Sequence, residues 1–147
     1  MPLRDLSIRL VILLTIALLM ASCGWNDPQI TAASEIRDIL YDISVNFNFG
    51  NISGIMSHVH PDYLHKGMRD WGLRELWLDR MASYSLLSID FISVQVDGNY
   101  ALATMRMSFD SPSETLVLQE PGDSGDASYF FFDGDKWRLH GNRYYVR

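Results

Sequence analysis

Residues 86–109 constrain this chain more than any other stretch. They read as two long strands joined at Asp97-Gly98-Asn99, residues that accept positive φ at little cost. In the second strand Ala101, Ala103, Met105, Met107 and Phe109 share one face, and Tyr100, Leu102, Thr104, Arg106 and Ser108 the other. The first strand carries its apolar residues at Leu87, Ile89 and Phe91, then resumes at Ile92, Val94 and Val96. That slip of one residue predicts a β-bulge or a sharp bend. A long bent hairpin makes a curved sheet, and helices laid over it enclose a concave space.

The N-terminal segment stands apart from this fold. Arg4 and Arg9 precede residues 10–20, which carry no charge. That run is too short to span a bilayer, which takes about 20 residues. A basic start, a short apolar run and small residues ahead of a cleavage point make a secretory signal. Leu19-Met20-Ala21-Ser22-Cys23 resembles the lipobox of bacterial lipoproteins, with Met20 where Leu is usual. The resemblance implies that residues 1–22 are removed and that Cys23 is acylated, palmitate among the expected chains. Gly24 stands where a retention signal would place Asp, which by the same resemblance favours the periplasmic face of an outer membrane. Cys23 is the single cysteine, so no intramolecular disulfide is available to an exported chain, and lipid attachment accounts for the lone thiol. Several acyl chains anchor firmly where one binds only marginally.

Loss of Arg4, Asp5 and Arg9 with the signal takes the net charge from −6 to −7. An acidic exported domain repels phosphate backbones, so nucleic acid is not an expected partner. Residues 23–30 read as a polar tether and 31–147 as one domain, with no internal repeat.

Within that domain three helices come first. Ile36, Ile39, Leu40, Ile43 and Phe47 form one helical face, opened by Thr31 or Ser34 as cap and closed by Gly50. Asn51 caps a shorter helix bearing Ile52, Ile55, Met56 and Val59, stopped by Pro61. Asp70 caps a third, with Leu73, Leu76, Trp77, Met81 and Tyr84 on its apolar face. After the bent hairpin, residues 116–119 read as a strand, 120–126 as a solvated polar loop, and 129–132 with 136–143 as a last hairpin turned at Asp133-Gly134-Asp135. Helices followed by an antiparallel sheet make an α+β domain with its helices on one face.

This order, with Val59-His60-Pro61-Asp62-Tyr63 between helices and Phe132-Asp133-Gly134-Asp135-Lys136-Trp137-Arg138-Leu139 near the end, resembles the nuclear-transport-factor-two-like superfamily. The resemblance implies three N-terminal helices packed on a curved antiparallel sheet, a cone-shaped, cystatin-like roll. Its members include SnoaL-like and ketosteroid-isomerase-like enzymes, small-ligand binders and assembly modules. Sheet-face homodimers are common among them. Membership of such a fold raises the expectation of a pocket and of no one activity.

Three kinds of chemistry follow as candidates. His58, His60, Asp62 and His65 form the densest polar cluster, but His58 and His60 fall on a helix tail and in a turn, so caps and turn hydrogen bonds are expected rather than a metal site. No nucleotide is implied, since phosphate-binding glycine loops are absent, and no cofactor is expected. A proton-transfer enzyme would draw its base from His60, Asp62 or Asp90 and its oxyanion donor from Tyr63, Tyr84 or Tyr100. A binder of small apolar molecules would line its cavity with Trp77, Tyr84, Phe91, Met105, Met107 and Phe131. The leading expectation is a lipid-anchored, non-catalytic envelope domain that binds a small apolar ligand or a partner protein. A small isomerase or dehydratase-like enzyme is the alternative, and a pure assembly module predicts a filled core.

Overall fold

A computed structural model describes residues 28–143. The signal segment, Cys23 and the tether before Pro28 lie outside the described residues. The elements are α1 (Pro28–Asn48), α2 (Ile52–Met56), β1 (Leu64–His65), β2 (Met68–Arg69), α3 (Asp70–Ser83), β3 (Leu86–Asp97), β4 (Tyr100–Asp110), β5 (Thr115–Glu120), β6 (Tyr129–Phe132) and β7 (Trp137–Leu139).

The expected hairpin is the spine of the sheet. Asp97 pairs with Tyr100 across Gly98-Asn99, and Gly98 sits at φ 57, where a side chain would be strained. The bulge falls where the apolar phase slips: Phe91 pairs with Met105 and Ser93 with Thr104. Ile92 is therefore the extra residue, and it points to solvent at 60% exposure instead of resuming the buried face. Val94 and Val96 then return to the inner side, in register with Ala103 and Ala101. The alternating residues Ala101, Ala103, Met105, Met107 and Phe109 are all buried.

The path β3-β4-β6-β7 makes the sheet, with β5 paired to the other half of β4. β5 holds residues 105–110 of β4 and β6 holds residues 100–102, so two short strands share one flank of a long one. Between them the Ala103 N–H donates to Ser128 O at 2.8 Å, which carries the sheet across the gap. The bulge bends the sheet, and α1 and α3 fill the hollow with Ile36, Leu40, Ile43, Phe47, Leu73 and Trp77. Each such side chain contributes about 1.5–3 kcal/mol on burial.

Local departures from the sequence reading have plain causes. α1 is already helical at Pro28, so Thr31 and Ser34 lie inside it and cap nothing; a proline fits the first turn because its missing N–H is not needed there. Its C-terminus closes at Gly50, φ 68, with Gly50 N–H on Phe47 O and Asn51 N–H on Asn46 O. Asn51 does cap α2, accepting the Gly54 N–H at 3.1 Å. Val59 is not helical: it bridges to Leu139 beside β7. Asp70 is the first residue of α3, after an N-cap at Arg69 that makes no side-chain bond. Lys66 and Gly67, both at positive φ, turn the short β1–β2 hairpin.

Candidate functional site

The cone's interior is closed by rings. Phe47 of α1, Trp77 of α3 and Phe109 of β4 meet edge-on, at centroid distances of 6.0 Å (Phe47–Trp77) and 5.4 Å (Phe47–Phe109). Tyr84 covers Phe109 from the end of α3, at 5.8 Å. Met105 and Met107 are fully buried beneath them.

Deeper along α3 the apolar stripe runs into a charge. Leu73, Trp77 and Arg80 follow at i, i+4 and i+7, and all three are buried. The Arg80 guanidinium carbon lies 5.1 Å from the ring centroids of both Trp77 and Phe109. Its Nη1 donates to Asp126 Oδ2 at 2.8 Å and its Nη2 to Oδ1 at 3.1 Å. Burial alone would raise the Asp126 carboxyl; the Arg80 charge and hydrogen bonds from Arg80 and Ser124 outweigh it and hold the group below the usual carboxylate range. The Tyr63 phenol donates to Asp126 O at 2.9 Å. Burial, then the Asp126 charge, pushes that phenol far above its ordinary value, so it stays protonated and acts as a clip.

The segment after β5 is therefore not the solvated loop its composition predicts. Asp123 is exposed, but Glu120, Asp126 and Ser128 are buried. Glu120 accepts the N–H groups of Ser124 (3.2 Å) and Gly125, folding the loop onto its own carboxylate. Its carboxyl is raised, by burial first, against the lowering effect of those bonds. His65 Nε2 and Lys66 Nζ both donate to Ser124 O, at 2.8 and 2.9 Å, and fasten the β1–β2 turn to the same loop. The signal for Arg80 was present in its i+3 spacing from Trp77; nothing in the order of Gly122-Asp123-Ser124-Gly125 marks Asp126 as its partner.

Of the candidate enzyme residues, His60 and Tyr100 both pack against Phe131, at ring-centroid distances of 5.7 and 5.1 Å, while the others are engaged elsewhere or exposed. Tyr63 is spent on Asp126. His60 lies beside β7, its backbone N–H on Leu139 O at 2.8 Å and its Nδ1 accepting the Asp62 N–H at 3.0 Å. Asp62 is exposed. Asp90 is on β3, at the opposite end of the strand path, exposed and in register with Arg106. The apolar set also divides. Trp77, Met105 and Met107 are core, Tyr84 packs on Phe109, and Phe91 lies under Arg37 at 4.8 Å. Phe131 is on the outer face, stacked on His140 at 4.9 Å and next to Tyr100 at 5.1 Å. These six do not line one hollow.

That outer face carries an opening of its own. A cavity of about 430 Å³ is walled by Gln95, Asp97, Tyr100, Leu102, Tyr129 and Arg143. Tyr100 is 55% exposed at its rim. His140, beside it, is pushed down to about 4 by burial and by the neighbouring Arg143 and His60. It is thus neutral at physiological pH, with Nε2 accepting from Arg143 Nη1 at 3.2 Å. Among the described residues no group of three or more His, Cys, Asp or Glu side chains is placed to hold a metal ion.

The fold has clear likenesses among solved structures. A protein of unknown function from Mycobacterium tuberculosis aligns with TM-score 0.57 at 15% identity, over 82% of this chain and 74% of its own. An NTF2-like protein of unknown function from Pseudomonas putida aligns with TM-score 0.54 at 13% identity, over 76% and 84%. A putative dehydratase from the NTF2-like family of Streptomyces avermitilis aligns with TM-score 0.51 at 15% identity, over 76% and 94%. A Bdellovibrio bacteriovorus protein matches at TM-score 0.54 and 7% identity, and there this chain spans only 38% of the other's length. No family model and no curated protein matches the sequence. The class these likenesses define is a fold class: an α+β cone of the NTF2-like, cystatin-like type.

Proposed function

We propose that this chain is a lipid-anchored, non-catalytic protein of the cell envelope whose cone-shaped domain binds a partner protein. The observation that carries the reading is the filled interior. In an enzyme of this architecture a base and an oxyanion donor would face a hollow. Here that position holds Trp77, Phe109 and an Arg80–Asp126 pair joined by two hydrogen bonds. Binding then falls to the outer face of the sheet, where Tyr100, Leu102 and Tyr129 line the open cavity and Phe131 packs beside Tyr100, to a second copy or to a neighbouring envelope protein. The anchor is Cys23, and the outer membrane is its expected site where the cell has one.

A second reading has its own observation: the 430 Å³ cavity is large enough for a small apolar molecule. Native mass spectrometry of the full-length protein from detergent separates the readings. The partner reading expects a lipid-modified subunit in a dimer or complex that Tyr100→Asp disperses. A bound small molecule on a monomer favours the second. Turnover that vanishes on replacing Asp62 or His60 would overturn both. Labelled palmitate should enter the wild type and not Cys23→Ser.

A further inference from the structure

The free edge of β3 carries a surface the reading above does not use. In an antiparallel ladder every second residue of an edge strand turns its N–H and C=O away from the neighbouring strand. Asn48, at the C-terminal end of α1, takes both such groups of Leu87, donating to Leu87 O at 3.2 Å and accepting the Leu87 N–H at 2.7 Å. Gln29, at the other end, donates to Val94 O at 2.6 Å and accepts the Val96 N–H at 3.2 Å. A primary amide reproduces the donor and acceptor of a peptide group, so α1 stands in for a missing strand at two points. By the same alternation Ile89 and Phe91, between them, also turn their groups outward. No side-chain or loop hydrogen bond reaches either residue among the described residues.

A groove of about 390 Å³ opens over this window, between Ile89, Asp90 and Phe91 on one side and Arg37, Leu40 and Tyr41 on the other. Tyr41, 70% exposed, stands on its helix side. Helices laid along edge strands shield them from pairing with other chains. Here the shield is closed at both ends and open over three residues.

We propose that this window accepts an extended segment of a partner protein as an added strand, with a basic residue held between two apolar ones. A strand set against Ile89 and Phe91 exchanges both backbone hydrogen bonds with each. Its residues opposite Ile89 and Phe91 point inward, into the groove beside Leu40. The residue between them lies opposite Asp90 on the outer face. Asp90 is exposed and, although Arg106 stands in register with it on β4, forms no ion pair among the described residues. Opposite charges directly across strands attract and like charges repel. A second copy paired about residue 90 would set Asp90 against Asp90, which argues against this chain as its own occupant. The inference rests on the binding-domain reading for the existence of a protein partner, and on the edge alone for that partner's shape.

The probe is the peptide acetyl-Thr-Val-Lys-Val-Thr-amide, added to the full-length protein in detergent. It should slow amide exchange at Ile89 and Phe91 and bind about three- to ten-fold more tightly than the same peptide with Glu for Lys. N-methylation of both valines should abolish binding, and Asp90→Lys should reverse the charge preference. The peptide comparison on the wild type stands even if that variant fails to fold. Equal binding of the Lys and Glu peptides, binding that survives N-methylation, protection elsewhere, or no binding at millimolar peptide would overturn the proposal. So would protection of Ile89 and Phe91 by dimerisation without peptide. An intact outer-face complex alongside a peptide-free edge would sink this inference and spare the outer-face reading; the reverse would spare this one.

Discussion

Arg80 holds both carboxylate oxygens of Asp126 inside the cone, at 2.8 and 3.1 Å, where the carboxylate side chain has no exposure to water. Removing one partner strands a charge in a low-dielectric interior. Asp126→Leu should therefore cost about 3–5 kcal/mol of unfolding free energy, read by urea denaturation. Adding Arg80→Met to that variant should recover most of the loss, because the attraction of a buried pair does little more than offset its desolvation. A double variant no better than the single would show that the pair's hydrogen bonds to the loop matter more than its charges.

Glu120 works the other way. Its carboxyl is raised in the folded protein, so the native state binds the proton more tightly than the unfolded chain, whose value is near 4.5. That contribution is fully present below the unfolded value and is lost as pH rises through the folded one. Glu120→Gln, unable to titrate, should remove this part of the pH slope. The check is urea midpoints across the acid-to-neutral range for both proteins, where identical slopes would contradict the burial effect.

His140 has a lowered value, about 4 against 6.5 unfolded, with burial the first cause and Arg143 and His60 the next. Between those two values the unfolded chain binds more protons, so this contribution weakens as pH falls from 6.5 towards 4. The stability of the wild type relative to His140→Phe should rise with pH across that window. Its ring resonances in a proton NMR titration should move with a midpoint near 4; a midpoint at the ordinary histidine value would refute the packing described around Phe131.

Asn48 gives Leu87 both hydrogen bonds that a neighbouring strand would supply. Asn48→Ala leaves that donor and acceptor to compete for water beside a buried side chain, at a cost of about 1–3 kcal/mol. Asn48→Asp keeps the acceptor and loses the donor, placing a negative charge near Leu87 O, and should be no better. Thermal melts of the three proteins measure this, along with faster aggregation of the alanine variant, whose edge is longer and less guarded.

Much of the architecture was legible in the residues themselves. Period-two alternation from Ala101 to Phe109 separated the two faces of the strand, the slip after Phe91 placed the bulge, and Gly98 and Gly50 marked a turn and a helix end, because these depend on local sterics and on which neighbours in the chain share a face. What only the tertiary structure decided were pairings between residues far apart in sequence. Arg80 with Asp126, Tyr63 with the Asp126 carbonyl, Asn48 and Gln29 along β3, and Phe131 with His140 on the outer face leave no periodic trace. Ile92 shows the boundary between the two: periodicity located an extra residue, but only the register of β3 against β4 determined which side chain would be turned out to water. A hydrophobic pattern reports the face a residue prefers, while the fate of a buried polar group is set by whichever partner the folded chain brings within hydrogen-bond reach.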